Sequence, residues 1–434
     1  CDSFKSQYLS GISPFPFWQI PKTPQQYYYQ EVSNMNNIRK LTDSLFWVGI
    51  NDRRIALFEN VYPVPTGMSY NSYVLLDEKT ALFDTVDASF THDFLENVTA
   101  ALKGRTLDYL IVNHMEPDHC ASIADVIAVY PEAKIVCTAK AVGMMKQFFD
   151  FDVDSRAILV KEGDTISLGS HELTFVMAPM VHWPEVMVTY EKIEKILFSA
   201  DAFGSFGAVD GNIFADEIDY KGTWLSEARR YYTNIVGKFG MSVQGLLKKA
   251  AGLEIRMICP LHSVIWREDL PWLIDKYLKW SSYTPEEKSV TIACGSVYGH
   301  TEKAADILAG KLADRGIRHI SVFDVSRTHP SYIIADAFRT SAMVFASITY
   351  NGGIFCNMDT LIHQLAAHGL TNRTAALIQN GTWAATTSKQ MGEILGTMKN
   401  IHVLEADVTI KSALKNDQEA ELDALADAIA ASLQ

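Results

Sequence analysis

Paired cysteines are missing. The six cysteines, Cys1, Cys120, Cys137, Cys259, Cys294 and Cys356, form no CxxC motif, which excludes a zinc ribbon and a rubredoxin-type or iron–sulfur thiolate site. Scattered among mostly apolar neighbours in a long chain, they read as reduced thiols, and a cytoplasmic protein is expected. No apolar run is long enough to span a bilayer. Positive charge is also in deficit: 38 basic side chains face 51 acidic ones, a net charge of −13, and nonspecific nucleic-acid binding needs the opposite sign. The chain has no internal repeat, no low-complexity tract, no P-loop lysine and no GxGxxG fingerprint.

What is present is a folding chain of more than one core. Its 434 residues exceed one ordinary domain. Residues 1–38 mix Pro14, Pro16, Pro21 and Pro24 with aromatics, as in FPFW and QQYYYQ, and read as an extended arm packed on the body or on a partner subunit. From about Arg39 to Trp280, β-rich runs such as LFWVGI, SYVLLD, TALFDT, LDYLIVNH, KIVCTA, ELTFVMA and KILFSAD arrive in adjacent groups with helical stretches between them. That pattern predicts mixed sheets with covering helices. The polar SSYTPEEKS, residues 281–289, is the best linker. After it, VTIACG, ISVFDV, AMVFAS and TAALIQ alternate with helical runs, which predicts a parallel, doubly wound sheet.

The densest chemistry is His114-Met115-Glu116-Pro117-Asp118-His119, directly after the strand-like LDYLIV. His182, Asp201 and His262 each follow a later β-like run. A lone histidine such as His171 or His402 is more often structural than a ligand. Four metal-competent side chains in six residues are harder to bury without a cation. Four imidazoles and three carboxylates exceed what one ion takes, so two ions sharing a carboxylate are expected. The donor set favours iron or manganese over a thiolate-loving metal, with zinc left open.

HMEPDH with His182, Asp201 and His262 resembles the metal signature of the metallo-β-lactamase-like domain of flavodiiron proteins. The zinc hydrolases of that superfamily typically carry histidine where this chain has Glu116. The resemblance implies an α/β chain with an N-terminal αββα sandwich. It also implies one iron on His114, Glu116 and His182, a second on Asp118, His119 and His262, and Asp201 between them. In some members the histidine matching His119 turns away from the metal.

A second signature opens the C-terminal third. Ser296-Val297-Tyr298-Gly299-His300-Thr301 follows a strand-like run and leads into a helix; backbone N–H groups there attract phosphate. Two later loops lie where a doubly wound sheet binds ligands. One is 347–353, with Ser347, Thr349, Tyr350, Asn351, Gly352 and Gly353. The other is 380–384, with Asn380, Gly381, Thr382, Trp383 and Ala384. Their small residues admit a planar ring, on which Tyr350 or Trp383 could stack. The region resembles flavodoxin, which implies FMN.

The organisation expected is therefore an N-terminal extension over 1–38, a metallo-β-lactamase-like diiron domain over 39–284 and a flavodoxin-like FMN domain over 285–434. The resemblance implies reduction of O2 to water or of NO to N2O. Electrons are expected from rubredoxin or a flavin reductase, in a head-to-tail homodimer or a dimer of dimers. Arg229, Arg230, Lys248 and Lys249 are weak candidates for a donor-docking patch and read better as a solvated helix face. The alternative is a dinuclear zinc hydrolase with a regulatory flavodoxin-like module, against which Glu116 argues.

Overall fold

A computed structural model describes residues 35–434. The N-terminal arm and Cys1 lie almost wholly outside these residues.

Two sheets form the first half. The seven-stranded one runs Arg39–Lys40, Leu45–Trp47, Tyr73–Leu76, Thr80–Phe83, Tyr109–Ile111, Lys134–Cys137, Ala157–Leu159. The five-stranded one runs Thr165–Ser167, Glu172–Met177, Met187–Glu191, Ile196–Phe198, Met257–Cys259. They face each other across an apolar core. Phe83 of one sheet stacks on Phe198 of the other with ring centroids 3.7 Å apart, and Tyr73 meets Phe198 from the side. Helices Thr91–Leu102, Ile123–Val129 and Ala139–Phe148 connect strands of the first sheet, and Gly240–Ala250 and Leu270–Ser281 flank the last strand of the second. This is an αββα sandwich.

The remaining chain builds a third sheet whose five main strands, ordered Ser321–Asp324, Glu287–Gly295, Thr340–Tyr350, Arg373–Asn380, Ile401–Ile410, are parallel, with the short Gly353–Ile354 pairing antiparallel to Thr340–Tyr350 beside them. Taken in chain order this is 2-1-3-4-5, the flavodoxin arrangement. Alternate residues feed separate cores, as a sheet covered on both faces requires. Ile292, Val344 and Ile378 pack with Leu308 and Leu425; Ala293, Phe345 and Leu377 pack with Phe338 and Leu361. Among the described residues no helix is long and apolar enough to cross a membrane. Cys120, Cys137, Cys259, Cys294 and Cys356 are free thiols.

The polar run at 281–289 does pass from the first half to the C-terminal sheet, as a packed segment, whereas the solvated face expected at Arg229 and Arg230 needs correcting. Ser281 is buried in the last turn of its helix, and Glu287 already belongs to a strand. Between them Glu286 is buried, ion-paired with Arg229 and Lys276, and accepts from Trp280 Nε1 at 2.7 Å. Arg229 and Arg230 do not lie on a solvated face: they are 8% and 1% exposed. Charge on an amphipathic-looking helix says nothing of what a second unit lays over it. Lys248 and Lys249 do remain exposed, Lys249 pairing with Glu162.

Burial alone would push the Glu286 carboxyl up, but Arg229, Lys276 and Trp280 hold it at about 2, below its ordinary 4.5. A depressed carboxyl stabilises the fold above its unfolded value and loses that contribution as pH falls through the folded one. Glu286→Gln is expected to cost about 3–5 kcal/mol at neutral pH, read from urea unfolding. The gap from the parent should narrow as the pH falls from about 5 towards 2.

Candidate functional site

The sandwich presents its chemistry at strand ends. His114, Glu116, Asp118 and His119 follow Tyr109–Ile111; Asp201 follows Ile196–Phe198; His262 follows Met257–Cys259. Pro117 starts the short helix Pro117–Cys120, with Glu116 extended before it as N-cap. His182 reaches in from the loop between Glu172–Met177 and Met187–Glu191.

The structure brings all seven together and buries them. In one group, Glu116 Oε2 lies 3.3 Å from His114 Nε2 and 3.0 Å from His182 Nε2. Asp201 Oδ2 lies 3.3 and 3.0 Å from the same two nitrogens. In the other, Asp118 Oδ2 lies 3.3 Å from both His119 Nε2 and His262 Nε2. Asp201 Oδ1 stands 3.3 and 3.6 Å from them. Asp201 thus turns one oxygen to each group. His119 Nε2 points inward, 3.0 Å from His262 Nε2, so it faces the cluster. A third cluster, His92, Asp93 and Glu96, is largely exposed and apart from these.

The donor chemistry fits cations. Both oxygens of Asp118 and both of Asp201 are buried and accept no hydrogen bond, which is costly unless positive charge meets them. Two imidazoles have their inward lone pairs fixed by tautomer. His262 Nδ1 donates to the Ser69 carbonyl at 2.7 Å, and His114 Nδ1 donates to Glu185 Oε1 at 2.8 Å, so each leaves Nε2 free to bind an ion. Burial pushes the His182 imidazole down, but Asp201 and Glu116 raise it to about 9. Burial likewise pushes Asp201 up, while His114, His119 and His182 hold it well below the usual carboxylate range. The cluster demands positive charge at its centre.

Two supporting carboxylates escape sequence reading. Glu185, three residues after His182, orients His114 and also accepts from Met115 N. Asp84 is fully buried, which raises its carboxyl to about 6. It accepts from Asn113 N, Asn113 Nδ2 and His114 N at 2.7, 2.7 and 3.1 Å, fixing the backbone where the ligand run begins. The only available signal is an aspartate closing the apolar TALF. His171, by contrast, is tied to Asp77 and Ser44, neither of them a member of the cluster, as a structural histidine should be.

The three loops of the C-terminal sheet converge on one edge. Gly299, at φ 85, caps the helix His300–Asp314, where a side chain would be strained; Ser296 Oγ accepts from Gly299 N. Asn380 Nδ2 donates to Thr301 Oγ1 and to the Ser412 carbonyl. Thr386 N donates to Thr349 Oγ1. A Cβ on Gly381 would stand 1.8 Å from the Ala384 carbonyl oxygen, so that turn requires glycine. Ser347 and Asn380 are buried and brace the loops from beneath. Tyr298, Trp383 and Tyr350 present their rings at 87%, 89% and 47% exposure, free to cover a flat ligand. Val297 is partly exposed beside them.

A family model described as ODP family beta lactamase matches residues 68–263. The anaerobic nitric oxide reductase flavorubredoxin of Escherichia coli (strain SMS-3-5 / SECEC) is 30% identical over 388 residues, which cover 87% of this chain and 78% of that protein. Among solved structures, the rubredoxin oxygen:oxidoreductase of Desulfovibrio gigas superposes with a TM-score of 0.85 at 28% identity, over 91% of this chain and 98% of that one. The flavodiiron protein from Giardia intestinalis gives 0.86 at 25% identity, over 92% and 98%.

Removing the Glu185 charge leaves the seven inward side chains in place but loosens His114. Glu185→Gln is expected to weaken metal retention by about 10–100-fold, measured by competition with a chelator, without changing the thermal transition of the C-terminal unit.

Proposed function

The chain belongs to the flavodiiron protein family and is an oxidoreductase, and from that premise we propose that it reduces O2 to water, NO to N2O, or both, at a pair of non-haem irons fed by FMN. The observation that carries this reading is Asp201, one buried carboxylate with an oxygen turned to each of two ligand groups. His114, Glu116 and His182 would hold one iron, and Asp118, His119 and His262 the other. Ser296 to Thr301 would hold the FMN phosphate, and the loops 347–353 and 380–384 its ring. We assign residues 39–284 to the diiron domain and 285–434 to the FMN domain, after an extension over 1–38.

When bound, two ferrous ions and one reduced FMN would supply the four electrons that taking O2 to water requires. The protein's own share is placement and exclusion. Asp201 fixes the spacing of the two ligand groups. Glu185 and Ser69 fix two imidazoles, so that no reorganisation is needed when a small diatomic arrives. Phe58 and Tyr231 stand edge-on to His262, with ring centroids 5.5 and 5.4 Å away. Tyr70 closes another side, 5.9 Å from the same ring. These walls keep bulk water from the buried carboxylates.

The proposed electron donor is rubredoxin or a flavin reductase. A head-to-tail homodimer would bring one copy's flavin to the other copy's metals. The relatives carry both substrate names, one nitric oxide reductase and one oxygen oxidoreductase, and this chain's preference is open to direct measurement.

Anaerobically reduced protein, with iron and FMN quantified, should consume O2 or NO when each is offered separately. Asp201→Ala should fall to background while keeping the flavin spectrum. Zinc in place of iron with no gas consumption, or full activity in Asp201→Ala, overturns the proposal.

A further inference from the structure

Arg230 joins the two halves of the molecule. It lies in the helix Leu225–Tyr231 and is 1% exposed. Its guanidinium is sandwiched between two rings, 4.3 Å from the centroid of Phe206 and 4.3 Å from that of Tyr332. Nη1 donates to Ser331 Oγ at 3.2 Å and Nη2 to the Pro63 carbonyl at 2.8 Å. Glu227 accepts from Nε and Nη2. A planar fork that bonds along its edge and stacks on both faces is a task for arginine that lysine cannot repeat.

The two aromatic partners lead to different sites. Phe206 is one ring removed from the proposed metal ligands: it packs on Phe58 at 5.8 Å and Tyr231 at 5.2 Å, and both of those meet His262. Ser331 and Tyr332 open the helix Pro330–Arg339, and the strand Thr340–Tyr350 begins at the next residue. No loop intervenes to absorb movement. The far end of that strand is the 347–353 loop. Tilting the helix therefore moves the loop.

We propose that Arg230 is a positioning residue for electron transfer: its stacked guanidinium fixes the helix Pro330–Arg339, and with it the flavin loops, relative to the metal-site wall. The step concerned oxidises reduced flavin and reduces ferric iron, with the flavin's protons released to solvent. The orientation sets the gap whether the exchanging sites lie in one chain or across a pair of copies. The inference rests on the function proposed above.

The test uses holoprotein of the parent, Arg230→Ala and Arg230→Lys. Anaerobic flavin reduction by dithionite, flavin reoxidation on mixing with O2, and amide hydrogen exchange over residues 330–339 are each measured. Arg230→Ala should keep its iron, its FMN and its rate of flavin reduction. It should reoxidise about 10–100-fold more slowly, exchange faster over 330–339, and recover part of its rate with added guanidinium. Arg230→Lys should resemble it, and carries the test if the alanine variant does not fold. Parent-like reoxidation in either variant overturns the inference. So does slowing that merely follows lost iron or flavin, or unchanged exchange over 330–339. If the parent itself reoxidises no faster than free reduced FMN, the proposed function fails, and this inference with it.

Discussion

Two aspartates at the edge of the sandwich, Asp118 and Asp201, bury all four of their carboxylate oxygens without a single hydrogen bond. A buried carboxylate so placed is tolerated only when cations or protons meet it at close range. The surroundings are arranged for that. Imidazole nitrogens approach from several sides, two with tautomers fixed from behind, and Glu116 adds a further anionic oxygen. Seven side chains from four chain segments meet only because the strand ends and the loop that carry them lie along one edge of two facing sheets. The stacking of Phe83 on Phe198 is one of the contacts that hold those sheets, and with them the strand ends, against each other.

The C-terminal sheet solves a different problem with backbone rather than charge. Its loops carry turn glycines, short hydroxyl side chains and exposed rings, and are knitted to one another from below by Asn380, Ser412 and Thr349. A flat cofactor needs approach by backbone and cover by aromatics, and a phosphate needs N–H groups at a helix start. The two proposed chemistries would therefore occupy two units, with the contacts between the units setting how one lies against the other. Buried arginines dominate that boundary. Arg229 pairs with Glu286, Arg230 stacks between units, and Arg373 donates to the carbonyls of Ala337, Phe338 and Tyr283.

Much of this is legible in the chain itself. HMEPDH declares itself because four ligand-type side chains in six residues have few structural uses, and the later His182, Asp201 and His262 each close a β-rich run. The parallel sheet is legible because its strands, covered on both faces, read as unbroken apolar runs. Glu185 and Asp84 are not, since each is a lone carboxylate whose role depends on which histidine or amide folds against it. Arg229 and Arg230 mislead for the same reason. Their helix looks solvated until the helix Pro330–Arg339, a hundred residues later, is laid across it. Local pattern reports what an element prefers; partners distant in sequence decide what it touches.

The central claim is that two irons share the buried Asp201 carboxylate. Anomalous diffraction from crystals of the loaded protein, recorded on both sides of the iron absorption edge, tests it most directly. The account predicts two iron peaks flanking Asp201, one among His114, Glu116 and His182, the other among Asp118, His119 and His262. A single peak, a signal only at the zinc edge, or iron bound away from these side chains would contradict it.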